Sequence, residues 1–493
     1  MTQEQIDQFR AAALAPFLQL VDGQHIAASD GATLAAVSPI DGKVLTTFPC
    51  GTRADADAAI AAARRAFDDG RWSDLAPATR KKILLKWAEL IEANALEIAV
   101  LGVRENGTEI GMALKAEPMS AAATLRYYAE AIDKLHGEVA PTDPAFLGLV
   151  HREPAGVVGA IVPWNFPLMI GAWKFGPALA AGCTMVLKPA ETASLALLRV
   201  AALGLQAGLP PGVFNVVTGE GAVVGAQIAG SMDVDVLVFT GSAATGRRLL
   251  AAAAQSNLKR VYLELGGKSP NIVFSDAPNL NDAAKVSANG IFRNAGQVCI
   301  AGSRILVERS IHAGFVEQLA AHAAAIKVGD PLDLATQSGA VNSERQLLQN
   351  LGFVDEARKL GRRVIGGERI LQDTGGFFMS PAIIADAQPT DRAFRQEVFG
   401  PVVTVTAFDS EAEAIALAND TTYGLAAAVW TANLSRAHRM VRKIRAGLVH
   451  VNTYGGSDLT VPLGGVKQSG NGHDKSLHAF DKFLSLKTAW IKL

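Results

Sequence analysis

From residue 157 onward the chain alternates short β-branched runs with alanine- and leucine-rich segments of helical length. The runs fall at 157–162, 184–187, 214–217, 234–239 and 261–265, and a second series falls at 272–274, 304–307, 402–407, 426–430 and 448–451. Apolar strands that lack in–out alternation, each followed by a helix, imply βαβ units and parallel sheets covered on both faces. The pattern therefore predicts an α/β fold with two doubly wound domains. A length of 493 residues agrees, being too great for one ordinary core. No internal repeat or low-complexity linker interrupts the series.

Upstream, a short polar helix is expected first, then a hairpin over 17–26 turning at Asp22-Gly23 and a second turn at Asp41-Gly42. Residues 54–135 have apolar positions three and four apart and read as helical. Lys and Arg number 46 against 47 Asp and Glu, for a net charge of −1. That balance offers no electrostatic case for nucleic acid or an anionic membrane, and leaves a small molecule as the expected partner. The three cysteines, Cys50, Cys183 and Cys299, cannot form a disulfide framework and show no C-x-x-C spacing, which favours a reducing compartment. The N-terminus is polar and lacks the basic and apolar regions of a signal peptide. The most apolar stretch, 175–187, contains Pro177 and ends at Lys188, well short of the ~20 apolar residues of a bilayer span. A cytoplasmic protein is expected. The nine histidines have no ligand spacing, so no metal site is expected.

In doubly wound sheets ligands bind beyond the carboxyl ends of the strands, and the unusual residues of this chain gather there. The first run leads through Val162 into Pro163-Trp-Asn-Phe-Pro-Leu168, the second into Lys188-Pro-Ala-Glu191, the fourth into Thr240-Gly-Ser-Ala-Ala-Thr-Gly246, and the fifth into Glu264-Leu-Gly-Gly-Lys-Ser-Pro270. Gly241-x-x-x-x-Gly246 could cradle a pyrophosphate on helix N–H groups, with Ser242 as an added donor, or form an ordinary strand–helix turn. It is neither the dinucleotide fingerprint nor a P-loop, since Arg247 stands where the lysine would be. Glu191 could hold a ribose diol or act as a solvated helix N-terminal charge. Asn165, between prolines, is a rigid amide suited to an oxyanion, or the start of an Asx turn. Glu264, beside two glycines, could be a general base acting through water or an exposed strand-end charge. Glu397 could bind hydroxyls or be solvated. Cys299, in Gly296-Gln-Val-Cys-Ile-Ala-Gly-Ser-Arg304, is a nucleophile candidate in a permissive loop. At an ordinary thiol pKa of about 8.5 a few per cent is thiolate at neutral pH. The alternative is a small buried hydrophobe.

Together these segments resemble the NAD(P)-dependent aldehyde dehydrogenase superfamily. The matching stretches, in order, are 163–168, 187–191, 239–242, 264–270, 296–299, 397–401 and 462–470. The resemblance implies that Cys299 attacks the aldehyde carbon, while the Asn165 amide and the Cys299 backbone N–H hold the oxyanion. Hydride then passes to the nicotinamide and leaves a thioester. Glu264 activates the water that releases the acid, and Lys174 relays its proton. It implies further that Glu397 binds the nicotinamide ribose with Phe399 packed near the ring. Val162, Pro163, Trp164, Thr240, Gly241, Ser242, Leu265 and Gly266 fall at pyrophosphate and nicotinamide contacts, and Gly221 and Gly225 at the adenine cleft. Glu191 beside Lys188 resembles the NAD-preferring pattern, because a carboxylate repels a 2′-phosphate, although the lysine alone would accept NADP. The implied organisation is a cofactor domain of 1–136 with 156–267, a catalytic domain of 268–475, and a β-extension of 137–155 with 476–493 that pairs subunits into a homodimer or homotetramer.

The segments 128–134, 457–462, 467–472 and 474–480 are similar to the branch acting on γ-aminobutyraldehyde derivatives and guanidinobutyraldehyde. Glu117 falls where that branch carries an acid on the helix lining the substrate tunnel, able to pair with a cationic tail, with Asp458 assisting. The other implied substrate contacts are Met169, Trp173, Val298, Ile300, Tyr454 and Leu463. The chain departs from the branch in Glu105-Asn-Gly-Thr-Glu109, in Leu463 where a phenylalanine is usual, and in His473 where an arginine is usual. A tunnel reshaped in this way would suit an aromatic or other uncharged aldehyde instead.

Overall fold

A computed structural model describes all 493 residues. Two seven-stranded sheets organise it, and the two series of apolar runs supply all but one of their parallel strands. In the first sheet the order is Arg260–Leu265, Val236–Gly241, Val157–Ile161, Thr184–Lys188, Phe214–Val216, Gln19–Val21, Gln24–Ile26. The five strands from the first series are parallel, whereas the N-terminal hairpin is added antiparallel at the edge. The hairpin turns at Asp22 and Gly23, both in the left-handed region at φ 50° and 74°. The helices Pro167–Ala181, Leu195–Gln206 and Ala243–Ala254 connect the strands, and Arg53–Asp68 packs against the same sheet.

The second sheet runs Arg363–Gly366, Ala382–Ala385, Val402–Phe408, Arg304–Glu308, Pro270–Val273, Ala426–Trp430, Leu448–Val451. Arg363–Gly366 and Ala382–Ala385 are additions to the expected strands. The first is an antiparallel edge strand, and the second is four buried residues bounded by Pro381 and Asp386, too short to carry a period. Here too an edge strand breaks the parallel arrangement.

The helical region resolves into Arg53–Asp68, Pro77–Ala93, Ala95–Asn106, Ile110–Leu114 and Ser120–Ala131, the last two joined by a π-helical turn around Pro118. Local chemistry fixes the boundaries. Thr52 and Asp55 form a reciprocal capping box, Pro77 opens its helix without needing an N–H partner, and Gly107 ends another at φ 82°. Trp87 stacks on Phe175 at 5.0 Å and meets Phe214 edge-on at 5.4 Å in the largest core. Phe480 and Phe483, from the C-terminal segment, fill the same core. Beyond them Leu484–Lys492 pairs antiparallel with Phe146–Pro154 along its whole length, and Glu138–Ala140 completes a separate three-stranded sheet. No helix is long and apolar enough to cross a membrane.

Candidate active site

The carboxyl ends of the first sheet face the loop that precedes Arg304–Glu308 of the second. That loop is wound tightly. Asn294 and Ala295 are left-handed at φ 50° and 48°, and Gly296 follows at 71°. Only glycine fits at 296, because a Cβ there would lie 2.0 Å from the Gly400 carbonyl oxygen. The strained pair is held from several sides, as strain of about 1–3 kcal/mol requires. Glu109 accepts from the Asn294 N–H, Thr108 Oγ1 donates to Asn294 Oδ1 at 2.8 Å, and the Gln297 side chain accepts from the Asn342 N–H. Asn165 Nδ2 donates to the Gln297 carbonyl at 2.9 Å. An amide carries two N–H donors, so one remains for another acceptor beside Cys299.

Cys299 is partly accessible, while Cys183 is fully buried and bonds the Phe483 carbonyl. The Cys299 thiol does not keep its ordinary pKa. Burial first, then the charges of Glu397 and Glu264, push it up to about 12, so at neutral pH it is held as the thiol. Glu264 is 9% exposed, which excludes a solvated strand-end charge, and its Oε1 has no partner. Burial raises it well above the usual carboxylate range; Asp474 adds to the rise, and Lys174 and Lys482 oppose it. The two adjacent glycines are required by packing, since a Cβ at Gly267 would lie 2.7 Å from the Cys299 carbonyl oxygen.

Lys174 is buried on the helix Pro167–Ala181, and its Nζ lies 2.5 Å from Asp474 Oδ2. Asp474 Oδ1 takes a second ammonium, Lys482. Neither Asp474 nor Lys482 was singled out by the sequence. Asp474 stands 300 residues from Lys174, Lys482 pairs only with Asp474, and the segment 474–480 is marked only by its likeness to a branch of the family.

Lys188, Glu191, Gly221 and Gly225 converge. Lys188 Nζ is 3.1 Å from Glu191 Oε1, which also accepts the Gly221 N–H at 2.6 Å. A Cβ on Gly225 would touch the Lys188 stem. Val162 donates to the Lys188 carbonyl. Thr240 and Gly241 pair with Glu264 and Leu265 on the neighbouring strand. Thr240 Oγ1 is buried without a partner, and Ser242 caps the helix Ala243–Ala254. Trp164, after Pro163, meets Phe399 edge-on at 5.3 Å. Glu397 Oε1 accepts from the Gly267 N–H at 3.0 Å, and burial lifts its pKa to about 7. Its other oxygen fills the space above Gly266, where a Cβ would lie 1.9 Å away. Glu397, Phe399, Gly296 and Val298 line one narrow cleft.

The expected substrate contacts divide. Tyr454 donates to the Ile300 carbonyl at 2.6 Å, next to Cys299. Trp173 and Met169 share a helix with Lys174, and the Trp173 indole N–H is buried and unpartnered. Leu463 exchanges backbone hydrogen bonds with Asp474. Glu117 is buried rather than a surface charge: its Oε2 accepts the Leu168 and Met169 N–H groups at 2.9 and 2.8 Å, capping Pro167–Ala181, and only Oε1 is free. Asp458 is exposed and bonds Thr460 in its own loop.

Residues 25–489 match the model of the aldehyde dehydrogenase family. The chain belongs to the aldehyde dehydrogenase family. This aldehyde dehydrogenase is 48% identical to the NADP/NAD-dependent aldehyde dehydrogenase PuuC of Escherichia coli, over 96% of this chain and 95% of that one. It is 44% identical to an aminoacetaldehyde dehydrogenase of Pseudomonas aeruginosa, over 100% and 99%. Among solved structures it superposes on an indole-3-acetaldehyde dehydrogenase in complex with NAD+ with a TM-score of 0.98, at 48% identity and full coverage of both chains. It is an oxidoreductase that oxidises aldehydes, built on the expected pair of α/β units.

Proposed function

We propose that this enzyme oxidises its aldehyde to a carboxylate with NAD, through a covalent adduct on Cys299. The supporting observation is that one loop and two strand ends bring together a thiol, a rigid amide donor and a buried carboxylate with a free oxygen. Cys299 Sγ adds to the carbonyl carbon and its proton passes to Glu264, whose raised affinity for protons suits it to that task. The carbonyl oxygen takes up the negative charge and accepts from the free Asn165 N–H and the Cys299 backbone N–H, each such donor being worth about 3–4 kcal/mol. When bound, NAD supplies the hydride acceptor that turns the adduct into a thioester. Once Glu264 has passed on the Cys299 proton it deprotonates water, which attacks the thioester carbon; the C–S bond breaks, the acid leaves, and the Cys299 thiolate takes its proton from Glu264. Lys174, an ammonium paired with Asp474, relays the proton that Glu264 passes on, accepting it as it releases one of its own to Asp474.

The residues fit a dinucleotide. Glu191 and Lys188 offer a diol acceptor and a cation at one end, with Gly221 and Gly225 leaving room beside them. Thr240, an unsatisfied hydroxyl, and Ser242 on a helix N-terminus suit the pyrophosphate. Glu397 and Phe399 line the cleft next to Cys299. The Glu191 carboxylate favours NAD over NADP, and the Lys188 ammonium keeps NADP acceptable. Cys299→Ala tests the assignment: NADH formation is lost while NAD still binds by fluorescence titration, and retained turnover would overturn it.

For the substrate, the free Glu117 oxygen and the aminoacetaldehyde dehydrogenase relative favour an ω-amino or guanidino aliphatic aldehyde. A second reading, an aromatic aldehyde, is favoured by the indole-3-acetaldehyde dehydrogenase likeness and by the tunnel residues Trp173, Tyr454 and Leu463. Comparing kcat/KM for aminobutyraldehyde, guanidinobutyraldehyde and benzaldehyde separates them. The domain division given above is assigned to the two sheets and the extension. The extension exposes Leu486, Trp490, Ile491 and Val139, which supports a homodimer or homotetramer. Leu486→Asp would then reduce the mass measured by light scattering. Three unpaired cysteines support a reducing, cytoplasmic setting.

A further inference from the structure

We propose that Lys482 is a positioning residue for the water-activating step: by clamping Asp474 against Lys174 it makes docking of the C-terminal strand a condition for Glu264 to turn over its proton. The inference rests on the reading of Glu264 as the base.

Four ionisable side chains from three parts of the chain meet here away from solvent. Glu264 ends the strand Arg260–Leu265, Lys174 comes from the helix Pro167–Ala181, and Asp474 and Lys482 come from the C-terminal segment. Side-chain exposure is 1% for Lys174, 2% for Asp474 and 4% for Lys482. The charges balance only with both lysines present and both carboxylates ionised. With Lys482 removed, ionised Glu264 and Asp474 share one cation, and the low dielectric makes an unpaired buried charge costly. Glu264 would then hold its proton more tightly. The same balance appears in the individual groups: burial acts to raise Asp474, yet Lys174 and Lys482 together keep it below the ordinary range. Lys482 is itself lowered by burial, with Asp474 and Glu264 supporting its charge.

Nothing else facing the cluster replaces this cation. From the helix Ser120–Ala131, Tyr128 donates to the Ser476 carbonyl at 3.1 Å and meets Phe480 edge-on at 5.3 Å. Lys475 turns its Nζ to the Ser457 carbonyl and hydroxyl. The Phe483 ring lies 5.4 Å from Lys482 Nζ, closing its far side. Two residues after Lys482 the chain enters Leu484–Lys492, fixed by nine register pairs to Phe146–Pro154. The lysine that completes the charge balance is thereby anchored by the extension.

The test is the pH profile of steady-state turnover together with the pre-steady-state NADH burst, in Lys482→Met, Lys482→Arg and Glu264→Gln. Lys482→Met is expected to move the acid limb of turnover up by about one pH unit, within the range that a neighbouring charge produces. The pH onset of the burst should move with it, because the same carboxylate takes the Cys299 proton, and the burst amplitude should be kept above that limb. Lys482→Arg restores the limb. If Glu264→Gln abolishes the limb while Lys482→Met leaves it unmoved, this inference fails alone. If Glu264→Gln keeps the limb, the reading of the base fails and takes the inference with it. Should Lys482→Met not fold, the comparison is made in Asp474→Asn, which leaves no unpaired carboxylate. Adding Lys482→Met there must raise the limb relative to Asp474→Asn alone, and an equal limb overturns the inference.

Discussion

Asn165 Nδ2 donates to the Gln297 carbonyl at 2.9 Å, joining residues 132 positions apart two residues before Cys299. The bond fixes the amide plane and leaves its second N–H free, so in the oxyanion role proposed for Asn165 the donor is set before substrate arrives. Preorganised donors of this kind are worth about 10²–10³ in rate. Asn165→Ala is therefore expected to lower kcat by about 10²–10³ with little change in NAD affinity. Asn165→Asp should be at least as damaging, because it sets a negative charge beside the developing oxyanion. Stopped-flow NADH formation measures both.

Gly266 and Glu397 compete for one space. A Cβ on residue 266 would lie 1.9 Å from Glu397 Oε2, so Gly266→Ala must push the carboxylate away while leaving the strand intact. If Glu397 orients the nicotinamide ribose, kcat falls about tenfold or more, since small misplacements at a reacting centre are expensive. Thermal stability should change little, and a circular dichroism melt checks that the fold survives.

The parallel strands of both sheets, apart from the four-residue Ala382–Ala385, were legible because parallel strands buried on both faces read as unbroken apolar runs. Of the antiparallel edges, the N-terminal hairpin was marked by its Asp22-Gly23 turn, whereas Arg363–Gly366 carries arginine and glycine and follows no period. Cys299, Asn165 and Glu264 stood out because each breaks the composition of its surroundings. Asp474 and Lys482 did not, being ordinary charges in a polar segment whose burial depends on Lys174, 300 residues away. The Cys299 pKa was equally invisible, since it is set by desolvation and by two distant carboxylates.

That raised thiol can be titrated by alkylation. With a pKa of about 12, the thiolate fraction without NAD grows about tenfold per pH unit through the neutral range. Iodoacetamide labelling of Cys299, followed by peptide mass spectrometry to separate it from Cys50, should rise steeply from pH 7 to 9 with no plateau. Glu397→Gln and Glu264→Gln each remove a negative charge that raises the thiol, so both should label faster at a given pH. A plateau below pH 9 in the wild type would show that the thiol is less perturbed.

Glu191 accepts from Lys188 and from the Gly221 N–H, and Lys188 pulls its pKa down against the effect of burial. With this pair at the cofactor ribose, as proposed, an ionised carboxylate there would discriminate against a 2′-phosphate through repulsion as much as through hydroxyl contacts. Glu191→Gln should shift the ratio of kcat/KM for NAD over NADP toward NADP by about tenfold, equivalent to ~1.4 kcal/mol. Most of the change should come from improved use of NADP. Raising the salt concentration should shrink the wild-type preference, because Glu191 is partly exposed.

Glu117 has two possible jobs that differ in their readouts. Burial lifts its carboxyl to about 8, Glu105 adds to the rise, and the N–H groups of Met169 and Leu168 oppose it. In the unfolded chain a glutamate titrates near 4.3. The folded state therefore binds this proton more tightly, and its stability relative to the unfolded state declines as pH rises from about 4.5 to 8. Glu117→Gln keeps an acceptor for the helix N-terminus and cannot ionise, so its Tm relative to wild type should be higher at pH 8 than at pH 5. That shift is expected whatever the tunnel binds. If the free oxygen also holds a cationic tail, the same variant loses about tenfold in kcat/KM for aminobutyraldehyde and nothing for benzaldehyde. An unchanged preference together with the stability shift would leave Glu117 as a helix cap alone and favour the aromatic reading of the substrate.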